Sequence, residues 1–205
     1  MANEALARWN ERFSAPGYLF GTAPNRFLAS QKHRLQRGQR ALAVADGEGR
    51  NGVWLAEQGL AVTSVDFSPV ALAKARQLAE RAGVAIETIE ADLGAWQWPA
   101  AAYDVVVAIF VQFAPPPMRA TMFAGMRAAL KAGGLLILEG YRPKQVEYGT
   151  GGPPNPENMY TRELLEAAFA GMEILHLAEY DAVIEEGSGH KGLSALIDFV
   201  ARKRG

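Results

Sequence analysis

At 205 residues, with 21 basic against 22 acidic side chains and 49% apolar residues, the chain has the length for one full domain core. The near-cancelling charge leaves no electrostatic footprint for nucleic acid, and the absence of cysteine excludes disulfides, thiolate metal sites and thiol catalysis. The opening residues, Met1 to Arg8, include an acid and lack an apolar core of signal-peptide length, and no run is long enough to span a bilayer; a cytoplasmic protein is expected, without membrane, nucleic-acid or metal partners.

In chain order, the first segment runs from Trp9 through Phe13 and Phe20 to Asn25 and is broken by Pro16, Gly17 and Pro24. Aromatics this dense ahead of the first strand must cover something: either a packing arm on the sheet or a lid over a ligand. Arg26 to Arg37 reads as a polar surface helix with a solvated His33. Ala41 to Ala45 is short and apolar enough for a buried strand, and it breaks into the turn Asp46-Gly47-Glu48-Gly49-Arg50-Asn51-Gly52. A helical pattern follows from Val53 to Gln58, then Gly59 as a stop, a second strand from Leu60 to Val65, and Asp66 at its tip. Glycines let the backbone approach a ligand closely, and the helix that follows directs free N–H groups into the turn. An acid at the next strand tip accepts from two neighbouring ribose hydroxyls and repels a phosphate. The order strand–turn–helix–strand–acid therefore reads as a nucleoside site; the alternative is a plain turn with Asp66 capping the next helix.

Ser68 and Pro69 start a helix whose apolar stripe includes Val70, Leu72, Ala75, Leu78, Ala79 and Ala82, and Gly83 ends it. Val84 to Glu90 is a third strand, followed by Ala91-Asp92-Leu93. Tyr103 to Val111 is the strongest strand signal, apolar throughout and so buried on both faces. Pro115 to Pro117 open a helix with Met118, Met122, Phe123, Met126 and Leu130 on one side, methionines that belong to the core. Leu135 to Glu139 is a fifth strand. The loop Pro143 to Tyr160, rich in glycine and proline, is of a length that is functional or disordered. A helix from Thr161 to Ala170 and two strands, Met172 to Ile184 and Gly192 to Val200, close the chain as an antiparallel hairpin.

These elements predict an α/β fold: Rossmann-like and doubly wound, with seven strands, mostly parallel, and a C-terminal antiparallel hairpin. One domain spans 1–205, with 1–39 as an N-terminal cover or lid and 40–205 as the core. The order resembles the class I S-adenosylmethionine-dependent methyltransferases over nearly the whole chain. Gly47-Glu48-Gly49-Arg50-Asn51 resembles the loop of the bacterial tellurite-resistance and thiopurine-type branch, and Trp9, Phe20-Gly21 and Pro24-Asn25 resemble that branch's N-terminal cover. Val62 to Ser68 is similar to the family's ribose-binding strand tip, Ala91-Asp92-Leu93 to its adenine edge, and Leu130 to Gly134 to its turn before strand five. The family's acid-x-Gly-x-Gly-x-Gly falls on Ala43, Ala45, Gly47 and Gly49, so the acid is missing and the first glycine is alanine.

The resemblance implies S-adenosylmethionine as cofactor and methyl transfer to a small molecule. A soft sulfur, selenium or tellurium nucleophile is favoured over oxygen or nitrogen, because no general base is evident. It places Ala45, Asp46, Gly47, Gly49 and Asn51 at the amino-acid end, Asp66 on the ribose, Phe67, Asp92 and Leu93 on the adenine, and Phe110 beside the sulfonium, with Gln112 nearby and Phe20 covering. Trp9, Tyr18, Phe113, Tyr141 and Tyr148 are candidates for the acceptor pocket. His190, in a glycine-flanked link, is either a base or an exposed turn histidine, and His176 is structural. Two rival readings stand beside this one. Gly47-x-Gly49-x-x-Gly52 with Asp66 satisfies a dinucleotide fingerprint, but no tyrosine is followed four residues later by lysine, as resemblance to small NAD(P)-dependent reductases would require. The other is a non-catalytic protein that binds a nucleoside cofactor.

Overall fold

The computed structural model describes residues 2–205. Strands β1 (Arg40–Val44), β2 (Ala61–Asp66), β3 (Ile86–Glu90), β4 (Tyr103–Ile109) and β5 (Leu130–Tyr141) run parallel, and β6 (Glu173–Glu186) pairs with β7 (His190–Arg202) as an antiparallel hairpin. The sheet order is β3-β2-β1-β4-β5-β7-β6, so β7 lies antiparallel between β5 and β6. Strand order reverses between β1 and β4, and in open α/β sheets the crevice at that switch point is where ligands bind.

Apolar runs fill the centre because both faces of the sheet are covered. Ala41 to Val44 and Val105 to Ala108 are all buried. One face packs against helix α5 (Pro116–Ala129) and helix α7 (Arg162–Ala168) through Met122, Phe123, Met126 and Leu165, so Met122 and Met126 are core, as their spacing predicts, while Met118 is only partly buried and lines an open cleft. The other face is covered by helix α2 (Arg26–Ser30) and helix α3 (Arg50–Glu57). Helix α4 (Pro69–Ala82) begins as expected: the Ser68 hydroxyl accepts the Ala71 N–H at 3.1 Å, Pro69 takes the first turn, and Gly83 at φ 68° ends it.

Two segments differ from expectation. Residues 26–37 do not form a polar surface helix. Asn25 caps the five-residue α2, a 3-10 turn follows at Gln31–Arg34, and Phe27 and Leu28 are buried on the sheet. Two apolar residues are too few to show a helical period, yet they suffice to dock a short turn. The loop after β5 is ordered around helix α6 (Gln145–Tyr148). The buried Gln145 side chain accepts the Ala195 N–H at 2.8 Å and donates to the Thr150 hydroxyl at 3.0 Å, pinning the loop to β7. Helix α1 (Ala2–Ser14) packs on α4: Ser68 Oγ donates to Asn10 Oδ1 at 2.6 Å, and Lys74 donates to the carbonyls of Ala15 and Gly17 at 2.8 and 2.7 Å. Among the described residues no helix is long and apolar enough to cross a membrane.

Gly49 fixes how α3 meets α4. Its φ is +87°, and a Cβ there would stand 2.7 Å from Ala75 Cβ and 2.9 Å from Ala75 Cα. Backbone conformation and space both exclude a side chain. Gly49→Ala is expected to lower unfolding free energy by about 2–4 kcal/mol, read as a lower midpoint in urea; an unchanged midpoint would mean that the two helices part without cost.

Candidate functional site

A cleft of about 580 Å³ opens at the carboxyl ends of β1, β2 and β4. The glycine turn forms its floor, Asp66 to Phe67 and Ala91 to Leu93 one wall, Phe110 and Tyr141 the other, and Arg8 to Phe13 of α1 its roof. Two non-glycine residues with left-handed backbone shape it: Ala45 at φ 47° and Phe110 at φ 55° sit at the tips of the adjacent strands β1 and β4. A bulky residue in this region is strained, and such strain persists only where the surroundings enforce it. Phe110 N–H donates to Glu139 O at 2.8 Å, which holds the turn.

Asp66 is buried and poised. Its Oδ2 accepts the Gly47 N–H at 2.9 Å and its Oδ1 the Ser68 N–H at 2.9 Å. The Phe67 N–H adds to their pull on the carboxylate. Burial raises its pKa to about 6 against the pull of those N–H groups. The Phe67 and Phe113 rings lie parallel within 4° at 6.5 Å between centroids. Both rings line the cleft. Asp92 is exposed at the cleft, with one oxygen taken by the Gly94 N–H at 2.9 Å, and Leu93 is buried beside it.

The remaining expected residues divide. Trp9, Phe20, Phe110, Tyr141 and His190 meet on the far side, with ring centroids 4.4 Å apart for Phe20–His190 and Phe110–His190 and 4.7 Å for Phe110–Tyr141. Four assignments are corrected by the geometry. Gly49 faces α4 and does not line the cleft. Tyr18 lies outside it, because its hydroxyl donates to Lys74 O at 3.2 Å and Lys74 and Arg81 hold its ring face. Tyr148 is turned away by α6, its hydroxyl on Asp181 Oδ2 at 2.9 Å. Asp46 lines the cleft, but its carboxylate points back beneath the turn, accepting from Ser64 Oγ at 2.8 Å and the Gly52 N–H at 3.1 Å. Asn51 also lines the cleft while its Oδ1 holds the Asn25 N–H at 2.9 Å, joining α3 to the arm.

His190 is neither solvated nor free to turn. Its side chain is 12% exposed, and burial lowers its pKa, so it is neutral at pH 7. Nδ1 stands 3.8 Å from Glu186 Oε2, beyond hydrogen-bond distance, and has no hydrogen-bond partner. Behind it is a polar cluster that sequence reasoning missed. Arg50 donates to Glu186 Oε2 at 2.6 Å, and Asn25 Nδ2 donates to Glu186 Oε1 at 3.0 Å and to Glu139. Tyr180 donates to Glu139 Oε1 at 3.3 Å and Asp198 Oδ1 at 3.2 Å. Burial first, then the charges of Asp198 and Glu186, push the Glu139 carboxyl well up. Burial would also raise Glu186, but His190 and Arg50 bring it down to about 2. One signal was available: Glu139 ends the run Leu135-Leu136-Ile137-Leu138, and an acid there needs partners. Arg8, Arg12 and Asn158 also line the cleft. Among the described residues, no three histidine or acidic side chains are placed to hold a metal ion.

The family described as "Methyltransferase domain" matches residues 41–134. A phosphatidylethanolamine N-methyltransferase of Cereibacter sphaeroides is 31% identical over 144 residues, covering 67% of this chain and 68% of that protein. Among solved structures, NodS, an N-methyltransferase of Bradyrhizobium japonicum WM9 in complex with S-adenosyl-l-homocysteine, superposes with a TM-score of 0.71 at 13% identity, covering 97% of each chain. TehB of Haemophilus influenzae gives 0.70 at 19%, covering 86% of this chain and 61% of its own.

Asp66 carries a pH dependence whose sign follows from burial. The folded protein binds its proton more tightly than the unfolded chain, so the wild type loses stability as pH rises from about 4 to 6. In urea titrations Asp66→Asn should gain up to about 3 kcal/mol on the wild type between pH 4 and pH 7; a difference that does not change with pH would show the carboxyl to be solvated.

Proposed function

The chain belongs to the class I S-adenosylmethionine-dependent methyltransferases, and from that premise we propose which residues hold the cofactor and what kind of acceptor the cleft takes. Asp66 accepts from the two ribose hydroxyls, and the adenine lies against Phe67 with its amino edge at Asp92 and Leu93. Arg12 lines the cleft with its guanidinium 4.3 Å from the Trp9 ring centroid, next to Phe13, whose ring is the nearest neighbour of Gly47. It serves the cofactor's carboxylate. Residues 1–39 act as the cover and 40–205 as the core, working on a small molecule in the cytoplasm. The observation that carries the cofactor assignment is Asp66, buried at the tip of β2, lining the cleft and tied by backbone N–H groups to the glycine turn and to the start of α4.

Bound S-adenosylmethionine supplies a methyl group already activated on a sulfonium. This chain's residues therefore have to align a nucleophile and exclude water, and alignment can lower a barrier by about 7–11 kcal/mol. Phe110, strained at the tip of β4, and Phe20 wall the chamber where transfer takes place. A sulfur, selenium or tellurium anion would need no base. The chamber nevertheless contains one, since His190 is neutral and backed by Glu186. That favours an acceptor that arrives with a proton: an amine, a hydroxyl or a thiol. The names of the Cereibacter and Bradyrhizobium proteins, both N-methyltransferases, agree with nitrogen among these.

Addition of S-adenosylhomocysteine should raise the melting temperature in proportion to the logarithm of its concentration, with no response to NADH. Asp66→Ala should weaken S-adenosylhomocysteine binding at least tenfold in calorimetry, and wild-type affinity should decline below about pH 6 as Asp66 protonates. Undiminished affinity in the alanine variant would remove Asp66 from the site.

A further inference from the structure

Three buried polar atoms among the residues that line the cleft have no hydrogen-bond partner, Tyr141 Oη, Asn158 Oδ1 and His190 Nδ1. The rest of Tyr141 is fully satisfied. Its N–H donates to Gln112 Oε1 at 2.6 Å, and its carbonyl accepts from Gln112 Nε2 at 2.8 Å and from the Tyr160 N–H at 2.9 Å. Only the hydroxyl is left over, in a residue 1% exposed. Ser194, close by, donates its own hydroxyl to Gly192 O at 3.1 Å. The Tyr160–Tyr141 backbone bond also brings Asn158, two residues earlier, alongside. Tyr160 Oη is unpartnered too, but it lies in the core with Phe123 and away from the cleft. An orphaned buried polar atom is costly, and Tyr141 Oη and Asn158 Oδ1, with His190 Nδ1 the third such atom beside one chamber, point to an arriving partner. Above the Tyr141 hydroxyl is Gly151, where a Cβ would be 3.6 Å away. Gly149, Gly151 and Gly152 all have positive φ, so this cover is built from residues that change conformation at little cost.

We propose that the acceptor is a primary amine, its two N–H groups donating to Tyr141 Oη and Asn158 Oδ1, with the His190 ring receiving the proton that the ammonium form must give up. The proposal rests on the methyl-transfer reading of this cleft and narrows it. A neutral primary amine has two donors and one lone pair. Two acceptors take the donors and leave the lone pair facing the methyl group. An alcohol or thiol offers one donor and a soft anion none, so each leaves at least one buried acceptor unmatched. The surroundings suit the incoming cation: Phe20 and Phe110 present ring faces, and the Glu186 carboxylate stands behind His190. In the reaction the ammonium proton passes to the His190 ring, and the nitrogen lone pair forms the N–CH3 bond. The C–S bond breaks with its electron pair retained by sulfur, so the positive charge moves from sulfur to nitrogen. Tyr141 and Asn158 are positioning residues. Since a secondary amine has one N–H, a second methylation should be slower than the first.

The test uses the full chain with S-adenosylmethionine and matched acceptors: ethanolamine and 2-phenylethylamine, their alcohol and thiol counterparts, and selenite. Formation of S-adenosylhomocysteine is followed by mass spectrometry, and melting of the S-adenosylhomocysteine-loaded protein is recorded with each acceptor. An amine should be methylated, or should raise the melting temperature, where its counterparts do not. Tyr141→Phe and Asn158→Leu should each raise the amine KM about tenfold or more, with S-adenosylhomocysteine affinity and melting temperature retained, and the N-methylated amine should react more slowly. Transfer confined to a thiol or selenite, no effect of any amine on rate or melting, or an amine KM unchanged in Tyr141→Phe would overturn the proposal. Failure of S-adenosylhomocysteine itself to bind would instead count against the cofactor assignment.

Discussion

The buried contact between Arg50 and Glu186 joins the parts of the molecule that make the cleft. Arg50 opens α3 directly after the glycine turn, and Glu186 ends β6, 136 residues later. Their 2.6 Å ion pair is nearly solvent-free. Placing two charges there costs desolvation that attraction alone does not reliably offset, whereas removing one partner leaves the other stranded at about 3–5 kcal/mol. The pair therefore contributes more to defining one arrangement than to net stability. Asn25 completes it by reaching Glu186 and Glu139 with one amide group while its own Oδ1 caps α2. The arm, the cofactor turn, the central strand β5 and the hairpin are fixed to one another through this single cluster.

Glu139 and Glu186 show how such a cluster stays neutral enough to be buried. Both are acids on neighbouring parts of the sheet, but only Glu186 has a cation. Glu139 is raised by burial and by the charges of Asp198 and Glu186, while His190 and Arg50 bring Glu186 down to about 2, so it keeps its charge. Two like charges sharing a site cannot both ionise cheaply. The charged member stands 3.8 Å from His190 Nδ1. The electrostatics of the cluster thereby reach the chamber without any of its carboxylates entering it.

What could be read in advance followed from local patterns. The glycine turn, Asp66 at the strand tip, the methionine stripe of α5 and the hairpin are each encoded within a dozen residues, and each is where periodicity and turn chemistry place it. Gly49 was misread because a glycine in a ligand-binding turn and a glycine at a helix–helix contact look the same until Ala75 is seen against it. Tyr18 and Tyr148 were misread because an aromatic near a cleft carries no sign of which way it turns; Lys74, Arg81 and Asp181 decided that. The pairing of Arg50 with Glu186 had no local signal at all, since charged residues at a helix start and a strand end are usually solvated. Long-range polar pairing is set by topology, and the topology is known only after the strands are ordered.

The arm and the hairpin turn also make contact through backbone. The Leu19 carbonyl accepts the N–H groups of Ser188 and Gly189, each at 3.0 Å. Gly187 packs so closely on Leu19, Phe20 and Gly21 that it has no room for a side chain, and Gly189 is as tightly held by the Phe20 ring. Backbone contact of this kind tolerates little adjustment, because neither side has a rotamer to change. It places the Phe20 ring against His190 by fixing the main chain on both sides of the ring and of the imidazole. The aromatic side of the chamber is therefore set by geometry that no substitution in the chamber itself would alter. Adaptability is left to the glycine loop above Tyr141 and to the α1 side chains above the glycine turn.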